Sequence, residues 1–192
     1  MSPPKLAVAA IVVTTLGAVA AVMTRGMGFT SRAQPSTFEE RIMRGARSWA
    51  VPSEVRRATN PAEDTPAVIR DAMAHWADHC ASCHGNDGAG QTTLGRNLYP
   101  PAPDMRTSRT QNMSDGELFY VVERGIPLTG MPAWGNGTAE GVRQSWELVR
   151  FIRHLPRLTP AELTQMEQLN PRSPAQEQQE KQIDDFLSGH SH

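Results

Sequence analysis

Cys80-Ala81-Ser82-Cys83-His84 is the stretch on which the reading of this chain turns. Its two cysteines are the only ones among 192 residues, so a disulfide framework and a four-thiolate zinc site are both excluded. A thioredoxin-like redox pair would want a βαβ setting, but the residues before Cys80 are helical in pattern. From Pro66 to His79, the residues Val68, Ile69, Ala72, Met73 and Trp76 make one apolar face. A zinc site could draw on Cys80 and Cys83 with His75, His79 or His84. Sequence-adjacent Cys and His rarely reach one tetrahedron together, and the second half of such a site is missing.

The spacing matches C-x-x-C-H, the attachment signature of a c-type haem. Two thiols add across the two porphyrin vinyl groups and form thioethers. Two intervening residues let both sulfurs reach one edge of the ring, and His84 then falls beneath the iron as its proximal ligand. One axial position remains, and nine methionines are available for it. Met131 stands out in Gly130-Met131-Pro132-Ala133-Trp134-Gly135, 47 residues beyond His84. Pro and Gly on both sides break any helix, so this methionine is expected on an irregular loop ordered in good part by its bond to iron and by Pro132. Met105, after Pro100-Pro101-Ala102-Pro103-Asp104, is the second candidate. Met73, Met113 and Met166 read as packing residues. His75, His79 and His154 read as surface or packing groups, and His190 and His192 end a polar tail. Histidine with a neutral thioether is the usual electron-transfer pair, because the soft sulfur favours reduced iron.

Working outward, the glycines at 85, 88, 90 and 95 predict a loop from Gly85 to Leu98. Ser114-Asp115-Gly116-Glu117 is a capping box that opens a short helix, stopped by Gly125. Gly141 to Leu155 carries Val142, Trp146, Val149 and Ile152 on one stripe. Thr159-Pro160-Ala161-Glu162 repeats the capping logic and starts a helix to Leu169. Asn170 to His192 is polar and reads as a tail with a turn at Ile183 to Leu187. Upstream, Leu6 to Met23 is an 18-residue run without a charge, long enough for a membrane-spanning helix. A cleaved signal peptide is the competing reading. Gly26 to Pro66 is rich in proline and arginine. Its amphipathic part, Phe38 to Trp49, is either a loose linker or a strap lying on the domain or a partner.

These motifs resemble the class I cytochrome c family over about Pro66 to Leu158, closest to small single-haem periplasmic members with Cys-x-x-Cys-His-Gly early and Gly-Met-Pro late. The resemblance implies an all-α fold, three main helices around one covalent haem c. The N-terminal transmembrane helix is an addition to it. It also implies that the motif histidine donates its second nitrogen's proton to a backbone carbonyl in the loop Tyr99-Pro100-Pro101, and that Trp134 walls the haem edge. The expected cofactor-binding residues are Cys80, Cys83, His84 and Met131, the last two binding the metal.

The expected organisation is a transmembrane anchor or signal over 1–25, a basic tether over 26–65, the haem domain over 66–158 and an acidic extension over 159–192. Charge is spread unevenly along the chain: +5 over residues 1–62, −2 over 63–158 and −4 over 159–192. The net charge of −1 excludes a globally basic nucleic-acid binder. The expected function is electron transfer by a membrane-anchored periplasmic cytochrome, without a small-molecule substrate and without enzymatic activity. Its partners would be redox proteins. The alternative is a fixed haem subunit of a respiratory or photosynthetic membrane complex. An open-site haem enzyme or gas sensor would require that Met131 not bind iron.

Overall fold

The computed structural model describes residues 3–27, 30–172, 178 and 181–183, with the side chains of its first helix described at residues 5 and 7–22. All regular structure among the described residues is helical. The turn expected at Ile183 to Leu187 lies outside them except for Ile183, and so do His190 and His192.

Three helices build the core. Helix α4 (Pro66–His75) starts at the N-cap Thr65, whose hydroxyl accepts from Val68 N, and buries Ala72 and Met73. Helix α8 (Asp115–Arg124) opens on the expected capping box of Ser114 and Glu117, and ends at Gly125 with φ 66°. Helix α9 (Ala139–His154) starts two residues earlier than its stripe suggested, because Thr138 caps it. Trp146, Val149 and Ile152 of that stripe are buried, while Val142 at its start stays exposed. Helix α9 packs on both α4 and α8. Trp76, Phe151, Met73 and Val149 are almost wholly buried between them. The Phe119 and Trp146 rings stack at 4.1 Å. Each such side chain contributes roughly 1.5–3 kcal/mol on burial. Helix α10 (Pro160–Leu169), with the second capping box, closes the core with fully buried Met166.

The chain before this core contains helix α1 (Pro3–Met27), helix α2 (Thr37–Ala50) and the single turn α3 (Ser53–Arg56). The expected transmembrane helix is unsupported: among the described residues no helix is long and apolar enough to cross a membrane. Residues 37–62 are a docked strap rather than a loose linker. Val51 is buried. Asn60 Nδ2 donates to Trp146 O at 3.0 Å, and Arg150 Nε donates to Ala62 O at 2.9 Å. Ser114 Oγ donates to Arg56 O at 2.7 Å. At Gly116 a Cβ would collide with Val55 O, so only glycine admits the strap backbone this close to α8.

Helix α2 docks with an unexpected face. Its polar side turns inward: the Tyr99 hydroxyl donates to Glu39 Oε1 at 2.6 Å, and Arg109 Nη1 meets Glu40 Oε1 at 3.2 Å. Phe38, Ile42 and Trp49 point away from the domain, and Trp49 is 88% exposed.

Candidate functional site

A cleft of about 890 Å³ opens on one side of the core. That is a volume typical of cofactor sites, about 300–1,000 Å³. Its walls bring together Cys80, Cys83, His84 and Met131. Met105 is not among its lining residues; it packs against the core instead, and its N–H donates to Gly88 O.

The motif wall begins where α4 gives way to a π turn, Trp76–Cys80, before the short helix α5 (Ala81–His84). The extra residue in this turn rotates the downstream residues relative to the apolar face of α4, and π turns of this kind recur at functional sites. The turn lets Trp76 stay in the core, 2% exposed, while Cys80 and Cys83 line the cleft. Trp76 Nε1 donates to Gly85 O at 3.0 Å, which ties the end of the motif to the core. The Trp76 and His84 rings lie 5.7 Å apart.

The segment expected as a loop from Gly85 to Leu98 contains one further helical turn, α6 (Thr93–Arg96), and a second turn, α7 (Ser108–Gln111), follows Met105. Thr92 Oγ1 donates to Ser82 O at 2.8 Å and to Cys83 O at 3.1 Å, drawing this turn over the motif. A Cβ at Gly95 would run into Cys83 O, so the close approach depends on glycine.

The chemistry of the wall discriminates between readings. Burial, with Cys83 as a secondary cause, pushes the Cys80 thiol up to about 12. A thioredoxin-like or zinc-binding cysteine needs the opposite, a stabilised thiolate. Among the described residues no cluster of three or more His, Cys, Asp or Glu could hold a metal ion, and Cys80 and Cys83 form no disulfide. Burial also lowers the His84 pKa, so its imidazole is neutral, the form that ligates iron. The contact that the family resemblance implied for this ring is not made. Pro100 and Pro101 line the cleft, but His84 Nδ1 is buried without a hydrogen-bond partner.

Opposite the motif, the Met131 loop is held better than its sequence suggested. Trp134 N donates to Val122 O at 3.0 Å and Gly135 N to Glu123 O at 3.2 Å, both carbonyls at the end of α8. Ile126 N donates to Met131 O at 3.0 Å, and Met131 N to Thr129 Oγ1 at 3.1 Å. Beyond the ordering expected from an iron bond and Pro132, the loop borrows carbonyls that a helix end leaves without partners. Trp134 lines the cleft, 38% exposed, and meets His79 edge-on at 5.4 Å. His79 also lines the cleft, its Nδ1 paired with Asp78 at 3.0 Å.

Sequence reasoning missed the third wall. Arg32, just before the strap, and Glu40 and Arg47 of the strap line the same cleft as the motif. The only signal available was the concentration of arginines before Pro66, which does not say where they point. A flat anionic cofactor with apolar faces suits these walls, which bring soft sulfur, a neutral imidazole and guanidinium groups to one cleft.

Residues 67–152 match the family model described as cytochrome C oxidase, cbb3-type, subunit III, a class I c-type cytochrome domain. The match implies covalently bound haem c with its iron and supports an electron carrier. It leaves out the strap and α10. No curated protein matches the chain.

Proposed function

We propose, on the premise that residues 67–152 form a c-type cytochrome domain, that this protein passes single electrons through one haem attached at Cys80 and Cys83 and ligated by His84 and Met131. The supporting observation is that these four side chains line one cleft while Met105 does not. When bound, the haem supplies one-electron exchange at an iron that keeps both protein ligands in both oxidation states. The chain's own part is to hold that geometry still. Trp76 locks the motif to the core, and the end of α8 holds the Met131 loop. Trp134, partly exposed at the cleft, offers the route by which a partner approaches. A neutral histidine and a thioether together favour the ferrous state.

The same reading puts the domain outside the cytoplasm, where haem attachment takes place, and attaches it to a membrane through α1. What supports attachment is the uncharged run from Leu6 to Met23 and the exposure of Val8, Ile11, Val13, Leu16 and Val22 along it. A second reading, a fixed subunit of a membrane oxidase complex, is favoured by the description of the matching family. Copurification with a complex in mild detergent supports it; a protein that leaves the membrane alone supports the free carrier.

Visible spectroscopy tests the haem reading. Haem should survive acid–acetone extraction of the wild type. The oxidised protein should show the weak long-wavelength Met–ferric band, and the reduced protein should resist carbon monoxide. Met131→Ala should abolish the band, lower the potential and admit carbon monoxide, whereas Met105→Ala should do none of these. Rapid carbon monoxide binding by the wild type would point to an open iron and an enzyme or sensor.

A further inference from the structure

The cleft is unevenly charged. Four arginines, Arg32, Arg47, Arg96 and Arg109, line it against one carboxylate, Glu40. Arg32, Arg96 and Arg109 are exposed; Arg96 Nη1 donates to Gln91 O at 2.6 Å, and Arg109 is paired with Glu40. Arg47 differs. It stands on α2, outside the segment that matches the family, and is half-buried at the cleft wall. Its Nη2 donates to Met113 Sδ at 3.6 Å. A thioether is a weak acceptor for a group with five strong donors. No ion pair joins Arg47 to a carboxylate among the described residues. Burial pulls its pKa below the usual arginine value; Glu117 opposes that pull, while Arg109 and Arg44 add to it. A cation in such a place lacks an anion, and a haem carries two carboxylates.

We propose that Arg47 pairs with a haem carboxylate and keeps it ionised, so that the strap is a wall of the cofactor pocket rather than a tether. The proposal rests on the haem reading above. It accounts for the orientation of α2: the contacts of Glu39 with Tyr99 and Glu40 with Arg109 turn the polar face inward and bring Arg47 to the cleft. A neighbouring guanidinium lowers a carboxyl pKa. With Arg47 present, the carboxylate stays charged in both oxidation states and the potential does not vary with pH on its account. Without Arg47 its pKa rises, and rises further in the ferrous protein, whose iron carries one positive charge fewer. Between the two pKa values, each electron delivered by the electrode is then accompanied by one proton from the buffer onto the carboxylate. The potential falls as pH rises through that window, by about 59 mV for each tenfold difference in proton affinity between the two states.

Potentiometric titration of the full-length, haem-loaded protein from about pH 5 to about pH 9, spanning the range of a raised carboxyl pKa, tests this. The wild type and Arg47→Lys, which keeps the charge, should show the same pH profile. Arg47→Leu should have a lower potential at neutral pH and a new downward slope. Ile42→Ser, on the outward face of α2 away from Arg47, should leave the potential and the profile unchanged. An Arg47→Leu protein with the wild-type potential and profile overturns the proposal. Should that variant not fold, redox-difference infrared spectra of the wild type with ¹³C-labelled haem carboxylates decide. Ionised bands in both states support the pairing, and a protonated carboxyl band appearing on reduction overturns it. A chain that loses its haem to acid–acetone instead defeats the haem reading.

Discussion

Helices α4 and α2 both carry an apolar stripe and a polar stripe; α4 leads into the motif that lines the cleft and α2 lines it directly, and they dock with opposite faces. Helix α4 turns Ala72 and Met73 into the core and leads directly to Trp76, so its position is set by buried apolar area. Helix α2 turns Glu39, Glu40 and Arg47 toward the domain and leaves Phe38, Ile42 and Trp49 outside. Its position is set by directional polar contacts at a rim where apolar side chains would have little to meet. Amphipathic periodicity says that a helix has two faces; it does not say which one the domain takes. Burial of apolar area is worth more per residue than exposed polar pairing, whose median is about 0–1 kcal/mol. The two walls should therefore respond very differently to mutation.

The largest effect is expected on the α4 side. Trp76→Ala removes a buried indole and its hydrogen bond to Gly85 O, and should cost about 3–5 kcal/mol in chemical denaturation. A loss under 1 kcal/mol would mean that the motif wall is not anchored through the core. Next comes the seam between strap and core. Gly116→Ala forces a Cβ against Val55 O and should cost about 1–3 kcal/mol. Proteolysis before Pro66 should then become faster than in the wild type. If both quantities stay at wild-type values, the strap is not seated on α8.

On the α2 side the numbers shrink. Tyr99→Phe deletes one hydrogen bond to Glu39 and should cost about 0.5–1.5 kcal/mol. Hydrogen exchange should rise in α2 and not in α9; equal change in both would break the distinction between the walls. The smallest effect is expected on the outward face, where Ile42→Ser should change stability by at most about 0.5 kcal/mol. A loss above 1 kcal/mol would show that this face is covered in solution and that α2 buries both sides.

What could be read from residue order alone was whatever depends on neighbours a few positions apart. The attachment motif is five consecutive residues. The two capping boxes at Ser114 and Thr159 are contacts across three residues, and both form as their sequences indicate. The apolar face of α4 was legible because its period is local, and residues 67–152 carry a family pattern strong enough to match. Only the tertiary structure decided the rest, because each remaining feature depends on contacts between residues far apart in the chain. It put Met131, already favoured by its Gly-Met-Pro setting, on the cleft and Met105 against the core. It held an irregular loop on the free carbonyls at the end of α8, and left His84 Nδ1 without the carbonyl expected for it. It brought Arg47 to a cleft whose motif lies 33 residues further along the chain, at Cys80. No window of sequence contains that encounter, since it depends on α2 docking by its polar face, through Glu39 and Glu40 meeting Tyr99 and Arg109, which lie 60 and 69 residues further along the chain.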